Sequence, residues 1–226
     1  MVRVVSRAEA SAAVLDVGWR FLLGRLQSAV PVPSLATAVE VAAAATQAAG
    51  EHADGHLRVD LRSDRVILTL ETLGLASLTS RDVELAHRIS AALAEIGHRT
   101  ASRAEHRAVQ MLEIAIDARD IAAIRPFWKA VLGYTHEPSA DGPTDPIVDP
   151  AGQGPAVWFQ RMTEPRPQRN RVHFDLCVPH DEAPDRIAAA VAAGGRLVSE
   201  RRAPAFWILA DVEGNEICVT TWQGRD

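Results

Sequence analysis

No apolar run in this 226-residue chain is long enough to cross a bilayer; stretches such as residues 39–45 fall far short of the roughly 20 residues that a spanning helix needs. The first residues, MVRVVSRAEAS, lack the apolar core of a signal peptide, so the sequence reads as cytoplasmic with no membrane partner. Cysteine is scarce, with Cys177 and Cys218 the only two. That excludes the disulfide framework of a small secreted protein, and their place in expected strands reads as two buried thiols. Basic charge is also short: 24 Lys and Arg face 29 Asp and Glu, the formal net charge is -5, and the arginines are interspersed with acids. A phosphate backbone needs clustered positive charge, so nucleic acid is not an expected partner. What is present, 47% hydrophobic and 23% charged residues, suits a globular protein long enough for two domains with separate cores.

The C-terminal half is written twice, over residues 109–162 and 171–222. Each copy opens on an apolar strand pattern (QMLEIAID, RVHFDLCV), passes through a helical stretch, and closes on a D-x-x-G turn feeding a further strand. Those turns are Asp149 to Gly152 before AVWFQ and Asp211 to Gly214 before ICVTT. Helices are expected over residues 121–132 and 183–193, stopped by Gly133 and Gly194. A strand-helix-strand-strand-strand unit cannot bury both faces of its short sheet alone, so two copies are expected to pack together around a cleft. The proline-rich residues 138–150 read as a loop at its mouth, and residues 163–169 as the connection between copies.

The N-terminal half has a different grammar. A short helix is expected over residues 6–14, then two strands turning near Gly24 and Arg25. Ser34 caps an alanine-rich helix that stops at Gly50. The stretches HLRVDLRS and RVILTLET alternate as a hairpin around Ser63 and Asp64. Thr79 opens a capping pattern, T-S-R-D, for a helix burying Val83, Leu85 or Ala86, Ile89, Leu93 and Ile96. The expected fold class is therefore α+β. An N-terminal antiparallel sheet with helices on one face (residues 1–98) is followed by a polar linker (residues 99–107) and a pair of βαβββ repeats forming a cleft (residues 108–226).

Over residues 6–96 the chain resembles the pterin-4a-carbinolamine dehydratases, through Trp19, the histidine-bearing EHADGH, DRVILTLET and above all LTSRDVELAHRIS. The resemblance implies a lyase in which histidines move protons as water leaves the 4a carbon of a tetrahydrobiopterin. The family's adjacent histidine pair followed by proline is replaced here by a stretch holding His52 and His56, and the histidine expected after Thr72 is Leu73. A leucine cannot accept a proton, so the dehydratase site reads as degenerate, with His52, His56 and Asp82 its catalytic candidates. The plainer readings are a solvated loop for the histidines and a helix N-terminal acid for Asp82.

Residues 109–222 resemble the glyoxalase-like proteins of the vicinal oxygen chelate superfamily, through EIAIDARDIAAIRPFWKAVLGY, NRVHFDLCV and DVEGNEICV. The resemblance implies a divalent metal (Zn, Fe, Mn or Ni) held by Glu113, His173 and Glu216, with Trp158 or Gln160 at the fourth-strand position and Cys218 at the family's glutamate position. Trp158, Gln160 and Trp207 are the candidate ligand-binding residues, with Phe159 a further aromatic. The plainer readings pair Glu113 with Arg171 or Arg125 and bury His173 and Cys218 in the core.

Three functions follow as expectations. The first is a dehydratase-like protein with a degenerate site, acting on a pterin or another small aromatic. The second is a metal-dependent lyase, isomerase or dioxygenase of the vicinal oxygen chelate type. The third is a non-catalytic small-molecule binder using the C-terminal cleft. Both resemblances imply a homodimer.

Overall fold

The computed structural model describes residues 2–75, 77–104, 107–165, 168 and 172–224. Two compact units divide the chain, Met1–Met111 and Leu112–Asp226.

In the first unit, α1 (Arg7–Ala13) starts at Ser6, whose hydroxyl accepts from the Glu9 amide. Strands β1 (Arg20–Leu22), β2 (Arg25–Pro31), β3 (Leu57–Leu61) and β4 (Arg65–Leu70) form one antiparallel sheet in the order β1-β2-β4-β3. Alternation along β4 buries Val66, Leu68 and Leu70 against helices α2 (Leu35–Ala49) and α4 (Ser80–Glu95). Ser34 caps α2, and Gly50 ends it at φ 61, where a side chain would be strained. The small residues Ala38, Ala45 and Ala49 on its buried face let α2 and α4 lie against each other. Trp19, Val41, Leu85, Ile89 and Leu93 complete the core. Ile96, expected on that stripe, is instead the C-cap of α4 and 49% exposed, because the helix stops one residue short of presenting it inwards.

Two expectations are corrected here. Residues 50–56 are not a loop: a short 3-10 turn at Gly50–His52 runs into α3 (Ala53–His56). Nor is the stretch read as a linker free of the first unit. Ala101 and Ala29 exchange backbone hydrogen bonds at 2.8 Å each, Thr100 Oγ1 donates to Val17 O at 2.7 Å, and a Cβ on Gly18 would lie 2.2 Å from Thr100 O. Thr100 and Ala101, which looked like solvated linker, are bonded to the domain. The two-residue strands β5 (Arg103–Ala104) and β6 (Arg107–Ala108) follow.

The second unit repeats itself as expected. Its first copy comprises β7 (Glu113–Ala118), α5 (Ile121–Leu132), β8 (Thr135–His136), β9 (Ile147–Val148) and β10 (Ala156–Arg161). The second comprises β11 (Asp175–Cys177), α6 (Ala183–Ala192), β12 (Arg196–Arg202), β13 (Phe206–Ala210) and β14 (Glu216–Thr220). The sheets run β7-β10-β9-β8 and β11-β14-β13-β12, with β7 parallel to β10 and β11 parallel to β14. The expected connection at 163–169 lies partly outside the described residues.

The D-x-x-G aspartates hold their turns by accepting backbone amides. Asp149 accepts from Ala151, Gln153 and Gly154, and Asp211 from Glu213 and Asn215. The second turn also reaches the first copy's helix. Trp128 Nε1 donates to the fully buried Asp211 at 3.0 Å, and the Glu213 carboxylate accepts the amides of Arg119 and Asp120 at the start of α5. Helices α5 and α6 pack together so closely that a Cβ on Gly195 would lie 2.2 Å from the Phe127 ring.

Candidate functional site

Asp82 is the centre of the best-formed polar cluster in the first unit. It lies in the first turn of α4, a position that favours an acid, and it is fully buried. Its Oδ2 accepts the Thr79 amide at 2.7 Å, the Thr79 hydroxyl at 3.1 Å and the Thr72 hydroxyl at 2.7 Å. Its Oδ1 faces His56 Nδ1 at 2.7 Å. A carboxylate can only accept, so Nδ1 carries the proton, and in the neutral imidazole the lone pair is then on Nε2. The His56 side chain is 15% exposed.

The helical turn at 50–56 places the second histidine. His52 and His56 are one turn apart, and their rings meet edge to face with centroids 6.2 Å apart. His52 is 30% exposed, with Nε2 3.7 Å from Glu51 Oε1. Backbone bonds from Glu71 N to His56 O and from Leu73 N to Gly55 O clamp the end of β4 against α3. Glu71 is in turn held by Arg25 at 2.6 Å and Arg58 at 2.9 Å. The structure therefore brings all three catalytic candidates together and adds Thr72 and Thr79. The capping pattern signalled Thr79, whereas nothing local to Thr72 marked it as a partner of Asp82.

The second unit treats its candidates differently. Along β7, Glu113, Ala115 and Asp117 are exposed while Ile114, Ile116 and Ala118 turn inwards. Register puts Trp158 and Gln160 on the same side as Glu113, opposite Ala115 and Asp117 respectively. Trp207 stands across from Val219 and packs on the core, so it does not share a wall with Trp158. His173 is exposed just before β11; it shares a shallow crevice with the half-buried Glu216 and with Cys218, and Glu113 is not among the crevice walls. Among the described residues no three His, Cys, Asp or Glu side chains stand where they could hold a metal ion. Glu113, His173 and Glu216 thus do not fit the divalent metal that the family resemblance implied.

The plainer readings fare unevenly. Arg125 is buried but its Nε bonds to Asp145 O at 2.8 Å, and Arg171 lies outside the described residues. Cys218 is buried as expected, whereas Cys177 is exposed because it sits on the outward face of β11, a strand at the sheet edge; neither is in a disulfide. Among the described residues no helix is long and apolar enough to cross a membrane.

Comparison with known proteins divides the chain in the same way. A family profile for pterin 4 alpha carbinolamine dehydratase matches residues 3–92, and one for a glyoxalase-like domain matches residues 113–220. A search of curated proteins finds no match. Among solved structures, a transcriptional coactivator/pterin dehydratase from Brucella melitensis is 22% identical over 40% of this chain and 98% of its own, with a TM-score of 0.36. A glyoxalase/bleomycin resistance protein/dioxygenase family enzyme from Burkholderia phytofirmans is 17% identical over 48% of this chain and 95% of its own, with a TM-score of 0.39. The fosfomycin resistance protein FosX of Listeria monocytogenes is 13% identical over 51% of this chain and 92% of its own, with a TM-score of 0.40.

Proposed function

We propose, for a chain that joins a pterin-4a-carbinolamine dehydratase-like domain to a glyoxalase-like domain, that the first domain dehydrates a tetrahydropterin 4a-carbinolamine at His56. The observation that carries this reading is the 2.7 Å contact between His56 Nδ1 and the buried Asp82. Dehydration breaks the C4a–O bond and forms C4a=N5. The leaving oxygen takes up one proton, and the ring nitrogen gives one up. His56 Nε2, held as an acceptor by Asp82, is suited to take the ring proton, while His52, one helical turn away, is suited to deliver a proton to the leaving hydroxyl. Leu73 supplies no third proton carrier, so this activity is that of a reduced site.

The test is stopped-flow dehydration of 4a-hydroxytetrahydrobiopterin, generated in situ. General acid-base groups contribute about a hundredfold or more, so His56→Ala should lose about that much of the enzymatic rate. A wild-type rate equal to that of buffer sinks the proposal. Metal-dependent chemistry in the second domain is no part of this reading, because its donors do not come together among the described residues. Assembly as a homodimer belongs to the proposal on family grounds, and light scattering in solution tests it.

A further inference from the structure

Between the two repeats of the second unit lies a partly open hollow of about 340 Å³. Its walls are Ile114, Ile116 and Val157 from the first repeat, Phe174 and Ile217 from the second, and Trp128 from α5. Strand alternation places it on the opposite face of β7 and β10 from Glu113, Trp158 and Gln160, with His173 at its border. Native interiors leave few voids larger than a water molecule, whereas small-molecule sites run from roughly 300 to 1,000 Å³.

The walls are held rigidly. Trp128 is 1% exposed and pinned through Nε1 to Asp211, and Phe174 stands edge-on to it at 6.2 Å. The sheets on either side both end here, with β7 and β11 as edge strands, so the space is a slot between two sheet edges. Tyr134 brings a hydroxyl to its wall. The half-buried Tyr134 hydroxyl sits against Gly154, where a Cβ would come within 2.2 Å of it, and no described residue gives it a hydrogen bond. Burial, with the charge of Asp149 nearby, raises the phenol above its ordinary pKa of 10.0, so at neutral pH it is an O–H donor. That same negative charge disfavours an anion. His173 and Asp175 also touch the hollow, and both are exposed.

We infer that this hollow binds a flat, uncharged bicyclic aromatic molecule bearing a hydrogen-bond acceptor, with the acceptor directed at Tyr134. Shape and apolar area come from the two repeats, and orientation comes from the Tyr134 hydroxyl. This site stands on observations independent of the His56 cluster, so either assignment can fail without the other.

Quinoline and naphthalene have nearly the same shape and differ by one ring acceptor. Titrating each into the full-length, methyl-labelled protein should shift the methyl resonances of Ile114, Ile116 and Ile217, with quinoline bound about three- to tenfold more tightly. Tyr134→Phe should bring the two compounds to equal affinity, Ile114→Trp should abolish binding of both by filling the slot, and His56→Ala should change neither. The inference is overturned if millimolar quinoline moves none of these methyls, or if Tyr134→Phe leaves the preference for quinoline intact. It is equally overturned if binding survives in a folded Ile114→Trp protein. Tyr134→Phe removes a single oxygen, so it gives a decisive reading even should the larger substitution fail to fold.

Discussion

Asp82 is at once a helix cap and the anchor of a histidine. Replacing it with alanine strands the Thr79 amide and removes the acceptor that orients His56, both in a buried setting. Asp82→Ala is expected to cost about 3 kcal/mol of stability, measured by urea unfolding, since a lost cap and an unpaired buried donor each contribute about 1–2 kcal/mol. Asp82→Asn keeps the shape but can offer a donor, and the ¹⁵N shifts of the His56 ring should then report loss of the Nδ1–H tautomer. Tyr134 carries a pH dependence of its own. Its folded pKa lies above the unfolded value, so as pH rises past about 10 the unfolded chain releases this proton while the folded chain retains it. The contribution of Tyr134 is therefore whole below pH 10 and lost as pH climbs through the folded pKa. Unfolding midpoints at pH 9 and 11 should fall less in Tyr134→Phe than in the parent.

At the scale of elements, the bond between the second repeat's turn and the first repeat's helix ties the copies together. Trp128→Phe keeps the ring packing but removes a donor from the buried Asp211, and is expected to lower stability by about 1–3 kcal/mol. Gly195→Ala forces a Cβ to 2.2 Å from the Phe127 ring and 2.8 Å from Ala190 O. Overpacking of this kind costs about 1–3 kcal/mol, visible as a lower thermal midpoint. Cap residues made three helix starts readable, at Ser6, Ser34 and Thr79, while Asp120, which caps α5, was not read as one. The turn at 50–56 escaped because glycines and histidines give it no apolar stripe. Its form comes instead from the backbone bonds of Glu71 and Leu73 to His56 and Gly55. Those partners lie a hairpin away in sequence, and propensity cannot see them.

At the scale of the whole molecule, each unit has a core of its own, one around Trp19, Leu68 and Ile89 and the other around Phe127, Val157 and Val219. Calorimetry should therefore resolve two transitions. Asp82→Ala is expected to lower one midpoint and Gly195→Ala the other; a single transition shifted equally by both would argue that the cores unfold as one. Each family profile matches within one unit, and each proposed site is built from one unit's residues.

By itself the sequence determined the local and periodic features: helix caps, glycine stops, alternating strands, and a repeated D-x-x-G turn whose two copies have the same strand order. These depend on residues near one another along the chain, where backbone geometry leaves few choices. Only the tertiary structure decided which side chains meet. It joined His56 to Asp82 and Thr72, and it turned Glu113 out while placing Ile114 inwards. It set Trp207 on the core, and left a slot beside Tyr134. Strand alternation says that neighbours face opposite ways, but which face is covered depends on partners far away in sequence, and that is settled only when the chain packs.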